Sequence, residues 1–215
     1  MSYAIKEIFL TLQGEGINTG RRAVFLRFAG CNLWSGREED REEADCTFCD
    51  TDFVGTNGDG GGRYADAAAL TAKVVETWGL GIEEAAPNSR FVVLTGGEPM
   101  LQVDEALIDA LHAEDFTIAI ETNGTIPVPE SIDWITVSPK AGTEVVQCSG
   151  NELKLIWPQP GSNPDEMEAW AFDHHLVQPL DGTSLNDNRM AAIKFVIQHP
   201  RWRLSLQTHK LIGLR

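Results

Sequence analysis

The feature that most constrains the fold is an alternation of strand-like and helix-like segments along the chain. Runs such as FVVLT at 91–95 and TIAI at 117–120 are apolar or β-branched at consecutive positions, which is typical of strands covered on both faces of a parallel sheet. Segments with the apolar spacing of helices separate several of these runs. Strands are predicted over 5–12, 24–28, 91–94, 117–120, 134–137, 153–157, 175–178 and 204–207, and helices over 66–78, 103–112, 164–172 and 184–199.

Alternating strands and helices favour an α/β fold built on a parallel sheet. A complete eightfold βα barrel usually takes about 250 residues, more than the 215 residues of this chain, and the clear helices are too few to complete one. The sequence therefore predicts a partial, open βα barrel of about six βα units, forming a single domain over residues 1–215. The glycine-rich stretch at 55–62 is expected to be a flexible loop.

Charge and hydropathy exclude several classes of partner. A formal net charge of −15 and a pI near 4.6 would repel phosphate backbones and anionic lipids, so neither nucleic acid nor a membrane is predicted as a partner. No apolar run approaches the ~20 residues of a membrane span, and the N-terminus lacks the pattern of a signal peptide. We therefore expect a cytoplasmic protein, in which clustered cysteines bind metal more often than they form disulfides.

Three of the four cysteines lie close together in the sequence. Cys46 and Cys49 are separated by two residues, and fourteen residues separate Cys31 from Cys46. Soft thiolates select zinc or iron–sulfur clusters, and a structural zinc site needs four ligands. Three cysteines match a [4Fe–4S] cluster that keeps one iron open. The alternative is a structural zinc site with Cys148 as its fourth ligand; otherwise Cys148 is interpreted as a buried structural thiol.

Polar motifs follow the predicted strands. Each lies where the carboxyl end of a strand is expected, and this edge is where α/β proteins build their active sites. We therefore expect segments that are far apart in the sequence to converge on one site. These segments are the loop that begins at Cys31, GGEP at 96–99, ETNG at 121–124, SPK at 138–140 and QPLD at 178–181.

The complete set of motifs resembles the 7-carboxy-7-deazaguanine synthase family of radical S-adenosylmethionine enzymes. The resemblance spans nearly the whole chain and rests on TLQGEG at 11–16, RFAGCNLW at 27–34, CTFCDT at 46–51, TGGEP at 95–99, the three motifs after it, and QTHKLIGLR at 207–215. The chain departs from the superfamily in one respect. The superfamily usually spaces its first two cysteines by three residues, whereas fourteen residues separate Cys31 from Cys46 here. Some members of the synthase family are similar in carrying such an insertion.

The resemblance implies an enzyme, a radical-dependent carbon–nitrogen lyase. It would convert 6-carboxy-5,6,7,8-tetrahydropterin to 7-carboxy-7-deazaguanine with loss of ammonia, a step toward queuosine and other 7-deazapurines. The implied cofactors are a [4Fe–4S] cluster, S-adenosyl-L-methionine and Mg²⁺. The implied protein partners are an electron donor such as a flavodoxin or ferredoxin and a second copy of the chain in a homodimer.

The resemblance also implies the site residues, although it assigns no catalytic side chain. The cluster ligands are Cys31, Cys46 and Cys49, and the Mg²⁺ ligand is Thr51. S-Adenosylmethionine would contact Phe48, Cys49, Asp50, Gly97, Ser138, Pro139, Lys140, Gln178, Pro179, Leu180 and Asp181. The substrate would contact Leu12, Gln13, Gly14, Glu15, Arg27, Thr95 and Arg215, the last through its terminal carboxylate.

Arg27 has a physical reason to bind substrate, because a guanidinium group matches a carboxylate bidentately. Its alternative role is a core salt bridge to a buried acid. Two other functions would share part of the pattern. A glycyl-radical activating enzyme would share the cysteines and GGE but would not need TLQGEG, Arg27 or QTHK. A non-catalytic metal or electron-transfer module would share only the cysteines.

Overall fold

A computed structural model describes residues 2–81 and 89–214 of the chain. Its strands are β1 (Tyr3–Leu12), β2 (Arg22–Phe28), β3 (Gly62–Tyr64), β4 (Phe91–Gly96), β5 (Thr117–Thr122), β6 (Trp134–Val137), β7 (Ser149–Trp157), β8 (Ala171–Pro179) and β9 (Trp202–Leu204). Its α-helices are α1 (Ala67–Trp78), α2 (Glu105–Ala113), α3 (Pro164–Met167), α4 (Leu185–Gln198) and α5 (Thr208–Leu211). Short 3-10 helices cover Glu38–Glu43 and Pro99–Leu101.

The described strands form one sheet in the order β3-β1-β2-β4-β5-β6-β7-β8-β9. β1 pairs antiparallel with both β2 and β3, and every pairing from β2 onward to β9 is parallel. Parallel neighbours require crossover connections, which α1, α2 and α4 supply. The sheet therefore has the largely parallel order that the alternation of segments predicts.

The two faces of the sheet have different chemistry. On the outer face, Leu26 of β2 and Leu94 of β4 are fully buried in one core with Leu70 of α1 and Leu107 of α2. A second core lies over β7 and β8, where α4 and β9 pack against the sheet. Because successive side chains point to opposite faces, the residues between these core positions face the interior of the partial barrel.

Hydrogen bonds join the loop after β1 to the chain after β9 across the open side of the barrel. The backbone N–H of Gly16, after β1, donates to Ser205 Oγ at 3.1 Å. The N–H of Thr208 donates to the carbonyl of Gly14 at 2.8 Å. The chain after β9 therefore lies against the loop after β1, and this contact brings the first and last parts of the sheet together at one edge.

Several predicted boundaries were wrong. The predicted strand over 204–207 lies at Trp202–Leu204 instead, because the chain turns after Ser205 into α5, where the N–H of Thr208 donates to the Gly14 carbonyl at 2.8 Å. The predicted helix over 164–172 ends at Met167, since Ala171 and Phe172 join the β7–β8 ladder.

The glycine-rich stretch at 55–62 is bound to β1 instead of being a free loop. Gly58 N–H donates to the Lys6 carbonyl at 3.0 Å, and Ile8 N–H donates to the Asp59 carbonyl at 2.7 Å. A Cβ on Gly61 would lie 2.3 Å from the Lys6 carbonyl oxygen, so the close approach requires glycine. Within the described ranges, no helix is long and apolar enough to cross a membrane.

Candidate active site

A cavity of about 320 Å³ opens at the carboxyl ends of the parallel strands. All of the residues predicted to bind the cluster and Mg²⁺ line it, as do the predicted substrate contacts that lie in the described residues. The predicted S-adenosylmethionine contacts also line it except for Pro139, whose carbonyl accepts a hydrogen bond from Gln159 at 3.3 Å. Arg215 lies outside the described residues. The structure therefore brings together segments that are far apart in the sequence.

Three free cysteines form one side of the cavity. Cys46 is buried, whereas Cys31 and Cys49 are partly exposed. Burial raises the pKa of the Cys31 and Cys49 thiols, although the backbone N–H of Leu33 donates to the Cys31 sulfur at 3.4 Å and favours its thiolate. Hydrogen bonds of this kind to cysteine sulfur are one determinant of the reduction potential of an iron–sulfur cluster.

The three sulfurs suit a cluster better than a single ion. In the described parts of the chain, no three His, Cys, Asp or Glu side chains converge closely enough to hold one metal ion. A cluster does not require such convergence, because each thiolate binds a different iron. Cys148 does not line the cavity and its sulfur contacts the Val145 carbonyl at 3.5 Å. It is partly exposed and not the buried thiol that we predicted.

The TGGEP turn packs directly against the Cys31 loop. A Cβ on Gly97 would lie 2.3 Å from the Gly30 carbonyl oxygen and 2.6 Å from Cys31 Cβ, so only glycine allows the approach. Glu98 is fully buried and links two strand ends, since it accepts from Thr122 Oγ1 at 2.9 Å and from Asn123 N–H at 2.8 Å. Burial raises the pKa of Glu98, and these donors oppose that rise.

A charged network also lines the cavity. Lys154 of β7 donates to Glu15 in a short contact and lies 3.6 Å from Glu121 of β5. Gln13 donates to Glu121 at 3.0 Å, and Gln207 donates to Glu15 at 3.0 Å. The network therefore presents carboxylates and amides to the cavity while one buried ammonium group compensates part of the charge.

This network keeps Glu15 ionised. Burial by itself would raise the pKa of Glu15, but Lys154, with hydrogen bonds from Gln178 and Gln207, lowers that pKa to about 2. Burial would likewise lower the pKa of Lys154, whereas Glu121 and Glu15 raise it above its usual value. Lysine and a carboxylate in such contact stabilise each other's charged forms, so Glu15 and Lys154 stay charged across the neutral pH range.

Arg27 forms the salt bridge to a buried acid that was considered as its alternative role, and it also lines the cavity. Its side chain lines the cavity, and its Nε donates to Glu7 Oε1 at 2.8 Å. The two Nη groups have no protein partner within residues 2–81 and 89–214. A buried acid therefore orients the guanidinium group while part of its hydrogen-bonding capacity stays available to a ligand.

The segment at 205–214 covers part of the cavity mouth. Lys210 donates to Asp50 at 2.8 Å and to Asp181 at 2.6 Å, and so links the loop after Cys49 to the end of β8. His209 lies against Gly14, where a Cβ would approach its Nδ1 to 2.0 Å. Asp50 and Asp181, which the resemblance places at S-adenosylmethionine, are thus ion-paired to a cation of this segment.

Sequence reasoning missed several lining residues. Glu121 belongs to the ETNG motif, and Lys154 interrupts the apolar positions of a predicted strand; both were visible signals. Trp34 and His209 belong to the RFAGCNLW and QTHKLIGLR motifs but were not assigned to the site. No comparable signal pointed to Glu7, because its place in the cavity depends on contacts between distant segments.

Comparison with known proteins gives a consistent result. No protein-family model matches the chain. It is 58% identical over 215 residues to the 7-carboxy-7-deazaguanine synthase of Bradyrhizobium diazoefficiens and 59% identical over 214 residues to that of Burkholderia multivorans, with both chains covered in full. Its fold matches the crystal structure of QueE from Escherichia coli with a TM-score of 0.66 at 28% identity, covering 97% of this chain and 95% of that one.

These matches confirm the expectations of fold and enzyme class. The structural match extends over almost the whole of both chains, which supports the predicted partial barrel. The named relatives are synthases, not activating enzymes or electron-transfer modules. Identity above half over the full length places the chain among them. The chain belongs to the 7-carboxy-7-deazaguanine synthase family.

Proposed function

We propose that the chain converts 6-carboxy-5,6,7,8-tetrahydropterin to 7-carboxy-7-deazaguanine with loss of ammonia. The observation that carries this proposal is one cavity lined by three free cysteines together with carboxylates, amides and an arginine. The cysteines suit a cluster, and the carboxylates, amides and arginine suit a small anionic substrate with several N–H groups. Full-length similarity to synthases of this name supports the same reaction.

Cys31, Cys46 and Cys49 would hold the [4Fe–4S] cluster and leave its fourth iron for S-adenosylmethionine. When bound, the cluster supplies the electron that cleaves this cosubstrate and so starts radical chemistry at C6 of the pterin. Gly97 lets the backbone approach closely beside Cys31. The other proposed contacts to the cosubstrate are Phe48, Asp50, Ser138, Pro139, Lys140, Gln178, Pro179, Leu180 and Asp181.

The substrate would lie between the charged network and Arg27. Arg27 offers its unused Nη donors to the substrate carboxylate, and Glu7 holds the guanidinium group in place. The carboxylates of Glu15 and Glu121 accept hydrogen bonds from ring N–H and amino groups, and Lys154 holds both side chains nearby. Leu12, Gln13, Gly14 and Thr95 are further proposed contacts, and the terminal carboxylate of Arg215 is proposed as an additional acceptor.

Thr51 is proposed as the protein ligand of Mg²⁺. Its position at the cavity between Asp50 and Asp52 supplies hard oxygen donors, which Mg²⁺ prefers. One hydroxyl with substrate oxygens and water would complete its coordination, so the protein needs no dedicated cage of carboxylates. The ion would orient the substrate and compensate its negative charge.

The surroundings of the cavity would keep solvent and competing hydrogen donors away from a radical. Phe9, Phe25, Phe48 and Phe53 line it, and the segment at 205–214 covers part of its mouth. The proposal also includes an electron donor such as a flavodoxin or ferredoxin, a cytoplasmic location and a homodimer. Sedimentation equilibrium of the purified chain tests the homodimer directly.

The decisive experiment is anaerobic reconstitution with iron and sulfide, followed by incubation with S-adenosylmethionine, a chemical reductant, Mg²⁺ and the carboxytetrahydropterin. We expect 7-carboxy-7-deazaguanine and ammonia in the wild type, without stoichiometric 5′-deoxyadenosine, because these two products together account for every atom of the carboxytetrahydropterin. Cys31→Ala should yield neither product. A reconstituted wild type that cleaves the cosubstrate without forming the deazaguanine would contradict the proposed substrate.

A further inference from the structure

The insertion between Cys31 and Cys46 contacts the cluster loop through one arginine. Arg41 lies on the 3-10 helix at Glu38–Glu43, and its Nη1 donates to the carbonyl of Thr47 at 3.0 Å and to that of Cys49 at 3.3 Å. Its Nε donates to both carboxylate oxygens of Glu38, each at 2.8 Å. A single guanidinium group therefore bridges the acidic helix and the backbone turn that holds two of the three cysteines.

The guanidinium plane also stacks on a residue of the cavity wall. Arg41 Cζ lies 4.1 Å from the ring centroid of Trp34, which is buried at 8% exposure and lines the cavity. Trp34 is held in turn by its Nε1–H, which donates to the Arg37 carbonyl at 3.1 Å, and by an edge contact to Phe53. Arg41 is thus fixed by its stacking on Trp34 and by the hydrogen bonds of its Nε and Nη1 groups.

The two charges of the Arg41–Glu38 pair differ in their contact with solvent. The Arg41 side chain is 27% exposed, whereas that of Glu38 is 78% exposed. Solvent screens an exposed carboxylate more strongly than a partly buried cation. Of the two charges, that of Arg41 is therefore the less screened at the Thr47 and Cys49 carbonyls, although the insertion as a whole is acidic.

We propose that Arg41 is a positioning residue of the cluster site, which holds the turn between Cys46 and Cys49 and places there a positive charge that Glu38 moderates. The inference rests on the proposed function, in which both cysteines bind the cluster. Reduction adds one negative charge to a cluster, and nearby charge is one of the determinants of its potential. Arg41 should therefore favour the reduced state, and Glu38 should oppose it.

Two substitutions should shift the reduction potential in opposite directions. We expect Arg41→Gln to lower the midpoint potential of the reconstituted cluster and Glu38→Gln to raise it, measured by redox titration with electron paramagnetic resonance detection. Arg37→Gln and Glu39→Gln are matched controls, because this pair carries the same charges in the same insertion, is exposed, and is separated by 3.9 Å. A purely structural role for Arg41 would not produce shifts of opposite sign.

A second measurement needs no cluster. Hydrogen exchange of backbone amides at 46–50 in the cluster-free chain should become about tenfold faster in Arg41→Gln, because a charge-assisted restraint on the turn is lost. Arg41→Lys should keep the potential near that of the wild type but show the faster exchange, since lysine keeps the charge and loses the planar fork.

Potentials in Arg41→Gln and Glu38→Gln that match those of the two controls would overturn the inference, as would unchanged exchange in Arg41→Gln. A wild type that assembles no cluster would instead refute the proposed function. The exchange experiment would still decide whether Arg41 positions the turn, so the two failures are distinguishable.

Discussion

Arg27 shows how an ion pair can orient a side chain that faces a cavity. A charge inside a barrel must be paired, because an isolated buried charge is costly. Glu7 supplies the partner through Nε, at 2.8 Å. The same contact fixes the orientation of the group that faces the cavity, so removing Glu7 would disturb binding without touching the substrate.

Substitution Arg27→Lys should weaken substrate binding although the charge is kept. A lysine ammonium is a point charge and does not reproduce the bidentate contact, so binding should lose about 1.5–3 kcal/mol. Isothermal titration with the carboxytetrahydropterin measures this loss, and cluster content should stay the same. Arg203→Lys, an exposed change on β9, is the control; equal affinities in both variants would make Arg27 purely structural.

Cys148 should be dispensable for the cluster. It lies outside the cavity, and its sulfur contacts the backbone carbonyl of Val145. Cys148→Ala should therefore keep about four irons per chain and the cluster absorbance after reconstitution, while Cys49→Ala loses them. Iron content per chain is the measurement. Loss of iron from Cys148→Ala would show that Cys148 is a fourth protein ligand.

At the scale of elements, α5 and the residues before it depend on a glycine of the loop after β1. Gly14 allows the carbonyl contact to Thr208 and leaves room for His209. The short helix has few buried residues of its own, so its position is set by this contact and by the Lys210 ion pairs. A change at Gly14 should therefore affect the whole segment.

Gly14→Ala should displace the segment at 205–214 from the cavity mouth. The added methyl group would lie 2.0 Å from His209 Nδ1 and 2.7 Å from its Cβ, so a rotation of the ring alone would not relieve the clash. We expect faster proteolysis after residue 205 and weaker substrate binding, with unchanged cluster content. Gly79→Ala, which meets only ordinary contacts at 3.4 Å or more, is the control; wild-type protease resistance in Gly14→Ala would contradict the expectation.

At the scale of the whole molecule, the charged network joins segments from three regions of the chain. Glu15 follows β1, Glu121 lies on β5 and Lys154 lies on β7. Removing one member of a buried pair is strongly destabilising, typically by about 3–5 kcal/mol. The network therefore contributes to the stability of the barrel as well as to the site.

This coupling predicts a pH dependence of stability. Because the pKa of Glu15 is lowered from 4.5 to about 2 in the folded state, its contribution is fully present above pH 4.5 and is lost as the pH falls through 2. Urea unfolding of the cluster-free protein should show Glu15→Gln to be less stable than the wild type at pH 6, with a smaller difference at pH 2.5. Glu39→Gln is the exposed control, and a difference that does not change with pH would contradict the coupling.

The sequence by itself determined the class of fold and most of the site. Apolar runs and helical spacing depend on neighbouring residues, so the parallel strands and the crossover helices were predictable. Short motifs carry their chemistry locally, which is why the cysteines, GGEP and QPLD could be assigned to one edge of a sheet. The family resemblance added the reaction and the ligands that these motifs would serve.

Only the tertiary structure decided contacts between segments that are distant in the sequence. Glu7 beside Arg27, His209 against Gly14 and Arg41 over Trp34 depend on strand register and on where the chain returns. The strand predicted over 204–207 was misplaced for the same reason, because the contact between Thr208 and Gly14 turns the chain away from the sheet and overrides local strand preference. Local propensity is set by adjacent residues, whereas the closure of the barrel depends on the packing of all of its elements.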